Sequence, residues 1–270
     1  MIISRKNFWI FAIVALAVIL ITGVKPSAFY YEFGMWYLGF HALVEFFTVA
    51  VALVIGLYAF SAYQITQSAR SLVFCIVFLA SAVIDILHIL SYGGMPQTII
   101  FPTVNTAIYF WLTARFIVAA GLLISVFIKP STRSKLSIAG SVAIAFVVAM
   151  AVFLAVYYFV PQLPSMAKVF GLTIVKIEVE IFLMFLFAAT AFLYWYESRK
   201  LGAVPPYYFL LFFVFTIFSE FQFTLYPGAY YFHNMLGHIF KFAAYVFILC
   251  HFTPQFRKTA EERALSGITQ

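Results

Sequence analysis

Charged residues are scarce in this chain. Asp, Glu, Lys and Arg make up 9% of its 270 residues, whereas 65% are hydrophobic. A soluble domain is about 45–50% apolar and about 25% charged, so the composition excludes a soluble protein and indicates an integral membrane protein. Apolar runs and short loops take up almost the whole length. We therefore expect a single helical bundle without a separate soluble domain.

Cysteine is rare, and familiar catalytic motifs are missing. The two cysteines, Cys75 and Cys250, each lie within or at the end of an apolar run, so we expect free thiols and no disulfide. The sequence contains no His-Glu-x-x-His, no Walker A and no Gly-x-Ser-x-Gly, which are signatures of metalloproteases, nucleotide-binding proteins and serine hydrolases. No complete catalytic motif is present, and we expect that the protein is not an enzyme.

Eight apolar runs are long enough to cross a membrane as helices, which takes about 20 residues. Segments with turn-forming residues separate them, for example Gly93-Gly94-Met95-Pro96 and Pro205-Pro206. The predicted fold class is an all-α integral membrane protein, a bundle of eight transmembrane helices. The predicted spans are residues 7–24, 37–63, 71–92, 103–128, 136–160, 172–196, 205–226 and 231–252.

The basic residues of the loops are unequally distributed. One side of the predicted membrane receives only Lys25 and Lys168. The other side receives eleven, namely Arg5, Lys6, Arg70, Lys129, Arg133, Lys135, Arg199, Lys200, Arg257, Lys258 and Arg263. Because cytoplasmic loops carry the excess of Lys and Arg, we expect both termini to be cytoplasmic. We attribute the net charge of +7 to this topology and expect no nucleic-acid partner.

The few ionisable residues inside the spans fall at nearly one depth, in the outer half of the membrane. Two pairs, one at i,i+4 spacing and one at i,i+3 spacing, each share a helix face. An ionisable group in the membrane core costs about 2.5 to 3.5 kcal/mol even on the mildest insertion scale, so one buried polar site is expected. The candidate metal ligands are His41, Glu45, Asp85, His88, Glu220 and His238.

His, Asp and Glu at helical spacing are the residues from which helix bundles build metal sites. A metal ion or a haem is therefore a candidate cofactor. Arg115 and Lys241 lie at similar depth and must pair or face water. They could hold an anionic ligand, or they could neutralise the carboxylates in a network without metal, and the sequence leaves both open. The candidate cofactor-binding residues are Arg115, Lys241, Asn105, Asn234, Trp111, Tyr92 and Tyr226.

Two further segments carry polar residues. Lys176, Glu178 and Glu180 open the sixth span, and we expect their side chains to snorkel to the outer interface. Pro254 is expected to end the last span. Residues 256–270 are polar and helix-prone, which predicts a short cytoplasmic juxtamembrane tail.

Five motifs, taken in order, resemble one family. They are FHALVE at 40–45, DILHILSYGGM at 85–95, NTAIYFW at 105–111 followed by Arg115, SEFQFTLY at 219–226 and NMLGHIFK at 234–241. This pattern is similar to the MASE3 domain, a membrane-associated sensor of bacterial and archaeal signalling proteins. The resemblance covers about residues 10–255, so residues 1–255 are expected to form the sensor domain and residues 256–270 the tail.

The resemblance implies a multi-pass input module of the bacterial or archaeal plasma (inner) membrane. Such modules usually precede PAS, histidine-kinase or diguanylate-cyclase modules, which act in two-component and cyclic di-GMP signalling. The resemblance does not supply a ligand. Since no output module follows within these 270 residues, the expected partners, besides lipids, are a second copy of the chain or a separate kinase or cyclase.

Three functions stay open at this point. The first is a sensor that binds a ligand, metal or cofactor in the outer polar cavity and signals to the cytoplasm. The second is an intramembrane metal-dependent lipid hydrolase, which needs an open coordination position and a carboxylate that is free to act as base. The third is a haem- or quinone-binding protein, with two of His41, His88 and His238 as axial ligands of a haem.

Overall fold

The computed structural model describes residues 3–129 and 131–268, without the side chains of residue 138 and residues 255–268. This part of the chain forms eight α-helices, which confirms the all-α prediction. They are α1 (Arg5–Val24), α2 (Trp36–Thr66), α3 (Ala69–Leu90), α4 (Val104–Phe127), α5 (Ile138–Phe159), α6 (Ile174–Lys200), α7 (Tyr207–Gln222) and α8 (Phe232–Ile268). Short 3₁₀ segments, Pro26–Phe29 and Val160–Gln162, follow α1 and α5.

Seven of these helices are long and apolar enough to span a membrane, and α7 is the exception. With 16 residues, α7 is about 24 Å long, less than the roughly 30 Å of a bilayer core. The predicted span 205–226 was therefore too long at both ends. Pro206 is the N-cap residue of α7, and the chain leaves the helix at Phe223.

The last helix is longer than expected. The apolar segment Phe232–Pro254 ends at the proline, as the sequence suggested, but the helix does not. α8 continues through Pro254 to Ile268, so the last span and residues 256–268 of the tail belong to one helix. One proline removes a single backbone hydrogen bond, and the rest of the helix continues. Residues 269 and 270 of the predicted tail lie outside the described residues.

The interior of the bundle is built from α2, α3, α4 and α8. α2 packs against both α3 and α8, α3 packs against α4, and α7 packs against α8, α6 and α1. α3 and α4 approach closely at Gly121, where a Cβ atom would lie only 2.2 Å from Cγ2 of Val77. Small residues are how membrane helices achieve such contacts. Both cysteines are free thiols, as expected.

The outer surface of the bundle is apolar. α1, α5 and α6 expose many large hydrophobic side chains, for example Ile21, Val147 and Phe185. A soluble protein of this size would not present so much contiguous apolar surface, whereas a lipid environment requires it. Most of the buried charged side chains lie instead among α2, α3, α4 and α8, while Lys176 and Glu180 on α6 and Glu220 on α7 are also buried, and this arrangement positions the site.

Candidate functional site

Three histidines from three helices meet inside the bundle. His41 on α2 and His88 on α3 place their Nε2 atoms 3.3 Å apart. The ring of His238 on α8 lies 4.5 Å from that of His41 between centroids. One nitrogen of each ring lies within 4.8 Å of the others, and all three side chains are buried. We call these residues the histidine triad.

Hydrogen bonds fix the tautomers of two triad members. Nδ1 of His88 lies 2.8 Å from the carbonyl oxygen of Ala107 on α4. A carbonyl oxygen can only accept a hydrogen bond, so Nδ1 carries the proton. Nδ1 of His238 likewise lies 2.7 Å from Oε1 of Glu45. When these imidazoles are neutral, the proton on Nδ1 leaves Nε2 of His88 and of His238 unprotonated. Each Nε2 can then donate its lone pair to a metal.

The triad rests on two carboxylates and two cations. Oε2 of Glu45 accepts a hydrogen bond of 2.6 Å from Nζ of Lys241, while its other oxygen binds His238. Asp85 pairs with Arg115 at 2.9 Å and lies 3.3 Å from Nζ of Lys241. All these groups are buried. Two of the three predicted carboxylates, Glu45 and Asp85, are therefore brought close to the triad, but each is engaged by a cation.

Trp111 on α4 lies beneath the two cations. The guanidinium carbon of Arg115 is 4.8 Å from the centroid of the indole ring, and Nζ of Lys241 is 4.4 Å from it. Such cation–π contacts stabilise cations that have left water. Arg115 also donates a hydrogen bond of 3.0 Å to the hydroxyl of Tyr245, a residue that the sequence analysis did not single out.

A small cavity adjoins the triad. About 30 Å³ of it is open to the centres of water molecules, which is room for one or two waters. Four of the candidate cofactor-binding residues line it, Trp111, Tyr92, Tyr226 and Asn234, together with His88, His238 and the unpredicted Lys176. Tyr92 and Asn234 are tied to each other and to the carbonyl of Ala229.

Two predicted site residues lie elsewhere. Oδ1 of Asn105 accepts a hydrogen bond of 2.7 Å from the backbone N–H of Met166, so this side chain anchors the loop before α6 and does not line the triad cavity. The carboxyl of Glu220 lies beside that of Glu180 on α6. Neither oxygen of Glu220 has a hydrogen-bond partner with regular geometry in the described part of the chain.

The snorkelling prediction was wrong for two of its three residues. Lys176 and Glu180 are buried, with Nζ of Lys176 2.7 Å from Oε1 of Glu180. Lys176 also donates to the carbonyl oxygen of Phe223. Only Glu178 is exposed. The i,i+4 spacing of a lysine and a glutamate was the available signal, since such a pair can enter a bundle with its charges matched.

Comparison with known proteins identifies one family. The model of the MASE3 family, described as a membrane-associated sensor domain, matches residues 34–252. This match includes every triad residue and leaves out α1 and all residues after Phe252. No curated protein and no solved structure matches the chain significantly.

Proposed function

Because the chain belongs to the MASE3 family of membrane-associated sensor domains, we propose that it senses through a transition-metal ion bound by His41, His88 and His238. The domain acts as a sensory input module in the plasma membrane of a bacterium or archaeon, with both termini in the cytoplasm. The metal site lies in the outer half of the bilayer. A change at this site biases the packing of α2, α3 and α8, and α8 carries the change to the cytoplasm.

The hydrogen bonds behind the imidazoles carry this proposal. A metal-binding histidine usually donates its second N–H to a carboxylate or a backbone carbonyl, which orients the ring and raises its basicity. His238 does so to Glu45, and His88 to the carbonyl of Ala107. In both rings Nδ1 therefore carries the proton, and Nε2 is left with a lone pair for a metal, as in metal-binding histidines.

The spacing of the nitrogens supports a small ion. Two imidazole nitrogens about 2.0–2.1 Å from a tetrahedral zinc ion are about 3.3 Å apart, and Nε2 of His41 and Nε2 of His88 are 3.3 Å apart. Axial ligands on opposite faces of a haem iron would be about 4 Å apart at similar bond lengths, with a macrocycle between them. A cavity of about 30 Å³ is also far smaller than the roughly 300 Å³ or more of typical cofactor pockets. The geometry therefore favours an ion over a haem or a quinone.

The carboxylates favour sensing over hydrolysis. A metal-dependent hydrolase needs a carboxylate that is free to accept a proton from the metal-bound water. Glu45 is engaged by both His238 and Lys241, and Asp85 is engaged by Arg115. MASE3 domains are sensory input modules. We therefore assign the carboxylates to orienting the triad and balancing charge.

Signal output leaves through α8 in this proposal. α8 carries His238 and Lys241 and extends as one helix, with Pro254 inside it, to Ile268, so a rotation or shift at the triad can be passed along this helix to the segment 256–268. The partner is a second copy of the chain or a cytoplasmic kinase or diguanylate cyclase that contacts this segment. The surrounding lipids are the remaining partner.

Metal content of the purified protein tests the proposal. The chain is extracted in detergent, stripped with a chelator and loaded with Zn²⁺, or with Co²⁺ as a coloured substitute. We expect one tightly bound ion per chain and the visible absorption of tetrahedral Co²⁺. His41→Ala, His88→Ala and His238→Ala should each abolish tight binding, because two imidazoles cannot replace three.

A histidine on the same helix provides the control. His251→Ala should retain full metal binding, since His251 stacks on Phe209 far along α8 from the triad. The sensing step is tested by joining the end of α8 to a diguanylate cyclase and measuring cyclic di-GMP with and without metal. Wild-type protein that retains no metal, or a triple triad variant that retains as much as wild type, would refute the metal centre. Equal output with and without metal would refute metal-linked sensing.

A further inference from the structure

We propose that the metal of the triad binds a small anion in the adjoining cavity, and that Lys176 and Trp111 also bind this anion. This inference rests on the proposed metal centre and names the class of ligand that the centre takes. The cavity is lined by His88 and His238 and also by Lys176, Phe223 and Tyr226. A ligand inside it would contact the metal and α6 at once.

The charge balance of the buried network supports an anion. Glu45 and Asp85 are matched by Lys241 and Arg115, and Glu180 is matched by Lys176. Three carboxylates thus oppose three cations, and an ionised Glu220 would add one negative charge. Even with an ionised Glu220, a divalent metal leaves the network with one excess positive charge. Because an unbalanced charge in a low-dielectric interior is costly, a monovalent anion on the metal lowers this excess.

The unused hydrogen-bonding capacity of the cavity is also that of an anion site. Nε1–H of Trp111 is buried and has no hydrogen-bond partner in the described part of the chain. The backbone acceptors at the cavity are occupied, because Ala107 accepts from His88 and Ala229 accepts from Tyr92 and Asn234. A buried N–H without a partner is costly. An anion would accept from it, and charge-assisted bonds of this kind are the strong ones.

Lys176 places an ammonium group on the α6 side of the cavity, and its charge is matched by Glu180. Its ammonium is bound by Glu180 and by the carbonyl oxygen of Phe223, and it lies 4.9 Å from the centroid of the Tyr226 ring. These contacts hold an ammonium at the cavity wall despite its burial. Water and salt would screen the attraction between an exposed lysine and an anion, whereas they screen the attraction of a buried lysine much less.

The size of the cavity limits the ligand. Space for one or two water molecules admits an ion of up to about three non-hydrogen atoms. The side chains of Val104, Ile108 and Phe223 in the lining cannot form hydrogen bonds with water molecules around an ion. The ligand class is therefore a small, weakly hydrated anion that coordinates metals, such as a halide, nitrite or azide.

Azide titration of the Co²⁺-loaded protein tests this inference. Azide bound to Co²⁺ shifts the visible bands of the metal, so the spectrum reports affinity directly. We expect saturable binding. Lys176→Met should weaken it about tenfold or more, the range for loss of one buried charge-assisted bond. Lys168→Met makes the same change at an exposed loop position and should leave azide affinity unchanged.

A second variant guards against misfolding of the first. Trp111→Phe keeps an aromatic ring under the cations and removes only the N–H, so it should retain Co²⁺ and weaken azide severalfold. If Co²⁺ binds but azide leaves its spectrum unchanged, or if neither variant that retains Co²⁺ alters azide affinity, the anion site is wrong and the metal centre stands. If the wild type binds no Co²⁺, both proposals are wrong.

Discussion

The Nε2 atoms of His41 and His88 are 3.3 Å apart, although the two residues belong to different helices. Two bare lone pairs at this distance would repel each other. Either the ring of His41 donates a proton to His88, or an ion binds both nitrogens. In the first case Nδ1 of His41 becomes the bare nitrogen, and it has no hydrogen-bond partner among the described residues. In the metal-bound form Nδ1 of His41 carries the proton and still has no hydrogen-bond partner among the described residues, but the repulsion between the two Nε2 lone pairs is removed.

The metal-free protein should therefore show one defined tautomer at His41. We predict that Nε2 of His41 carries the proton and donates to His88 when the metal is stripped, and that Nε2 loses the proton when metal is added. Nitrogen chemical shifts of labelled histidine distinguish the two tautomers. Identical His41 shifts in the stripped and loaded samples would contradict this assignment.

Glu45→Gln should weaken metal binding, and Lys241 keeps Asp85 as a carboxylate partner in this variant. The substitution keeps the shape of the side chain but removes the charge that makes His238 a stronger ligand. Loss of a second-shell partner of this kind costs about 10–100-fold in metal affinity, measured by competition with a chelator of known affinity. Glu178→Gln, at an exposed position of α6, is the matched control and should bind as wild type. Equal affinities of the two variants would show that Glu45 does not tune the site.

Asp85 and Arg115 should show strong coupling in unfolding experiments. Removing one partner of a buried ion pair costs about 3–5 kcal/mol, because the other charge is left without compensation. Asp85→Asn and Arg115→Met should therefore each lower the free energy of unfolding in detergent. The double variant should recover a large part of the loss. Additive losses in the double variant would indicate that Tyr245 and Lys241, the other neighbours of this pair, compensate each single change.

Reporter fusions should reveal the orientation of the bundle. Fusions after Arg70, Ser131 and Arg199 are predicted to report a cytoplasmic location, and a fusion after Gly94 a periplasmic one. The reason is the excess of eleven over two basic residues in the loops of the first side. A periplasmic signal at Arg199 would reverse the assignment for α6 and α7 and would place the triad at a different depth.

The tail should transmit the signal without contributing to the site. Deleting residues 256–270 is predicted to leave metal affinity unchanged and to abolish the effect of metal on a cytoplasmic partner. Single cysteines introduced between positions 256 and 265, in a chain lacking Cys75 and Cys250, should crosslink to a second copy or to that partner. Full switching by the truncated protein would exclude this route.

The common level of the triad, Glu45 and Asp85 along the bundle could be predicted from the sequence, but rotation about the helix axes could not. His41 with Glu45 and Asp85 with His88 were placed on shared faces by spacing alone, and the structure brings those faces together. In a lipid environment both the buried and the outward faces of a helix are apolar, so the pattern does not reveal which face turns inward. For this reason Glu220 was assigned to the triad, although the structure places it beside Glu180.

Contacts between helices and distant loops could not be predicted from the sequence either. Asn105 is next to predicted site residues in sequence, yet it binds the backbone of Met166, a contact across 61 positions that local pattern cannot specify. The burial of Lys176 and Glu180 was missed because the expectation of snorkelling considered one helix in isolation. Lys176 donates to the carbonyl oxygen of Phe223, which is available because α7 ends at Gln222.

The shortness of α7 gives this lysine a mechanical role. α7 ends before it has crossed a full bilayer core, and a carbonyl group released at such a depth needs a donor from the protein. Lys176 supplies one by binding the oxygen of Phe223, and so acts as a C-terminal cap for a helix to which it does not belong. Any group that draws the ammonium away from that oxygen loosens the end of α7. The hydrogen bond from Lys176 to Phe223 thus connects α6 to the end of α7 at the wall of the cavity.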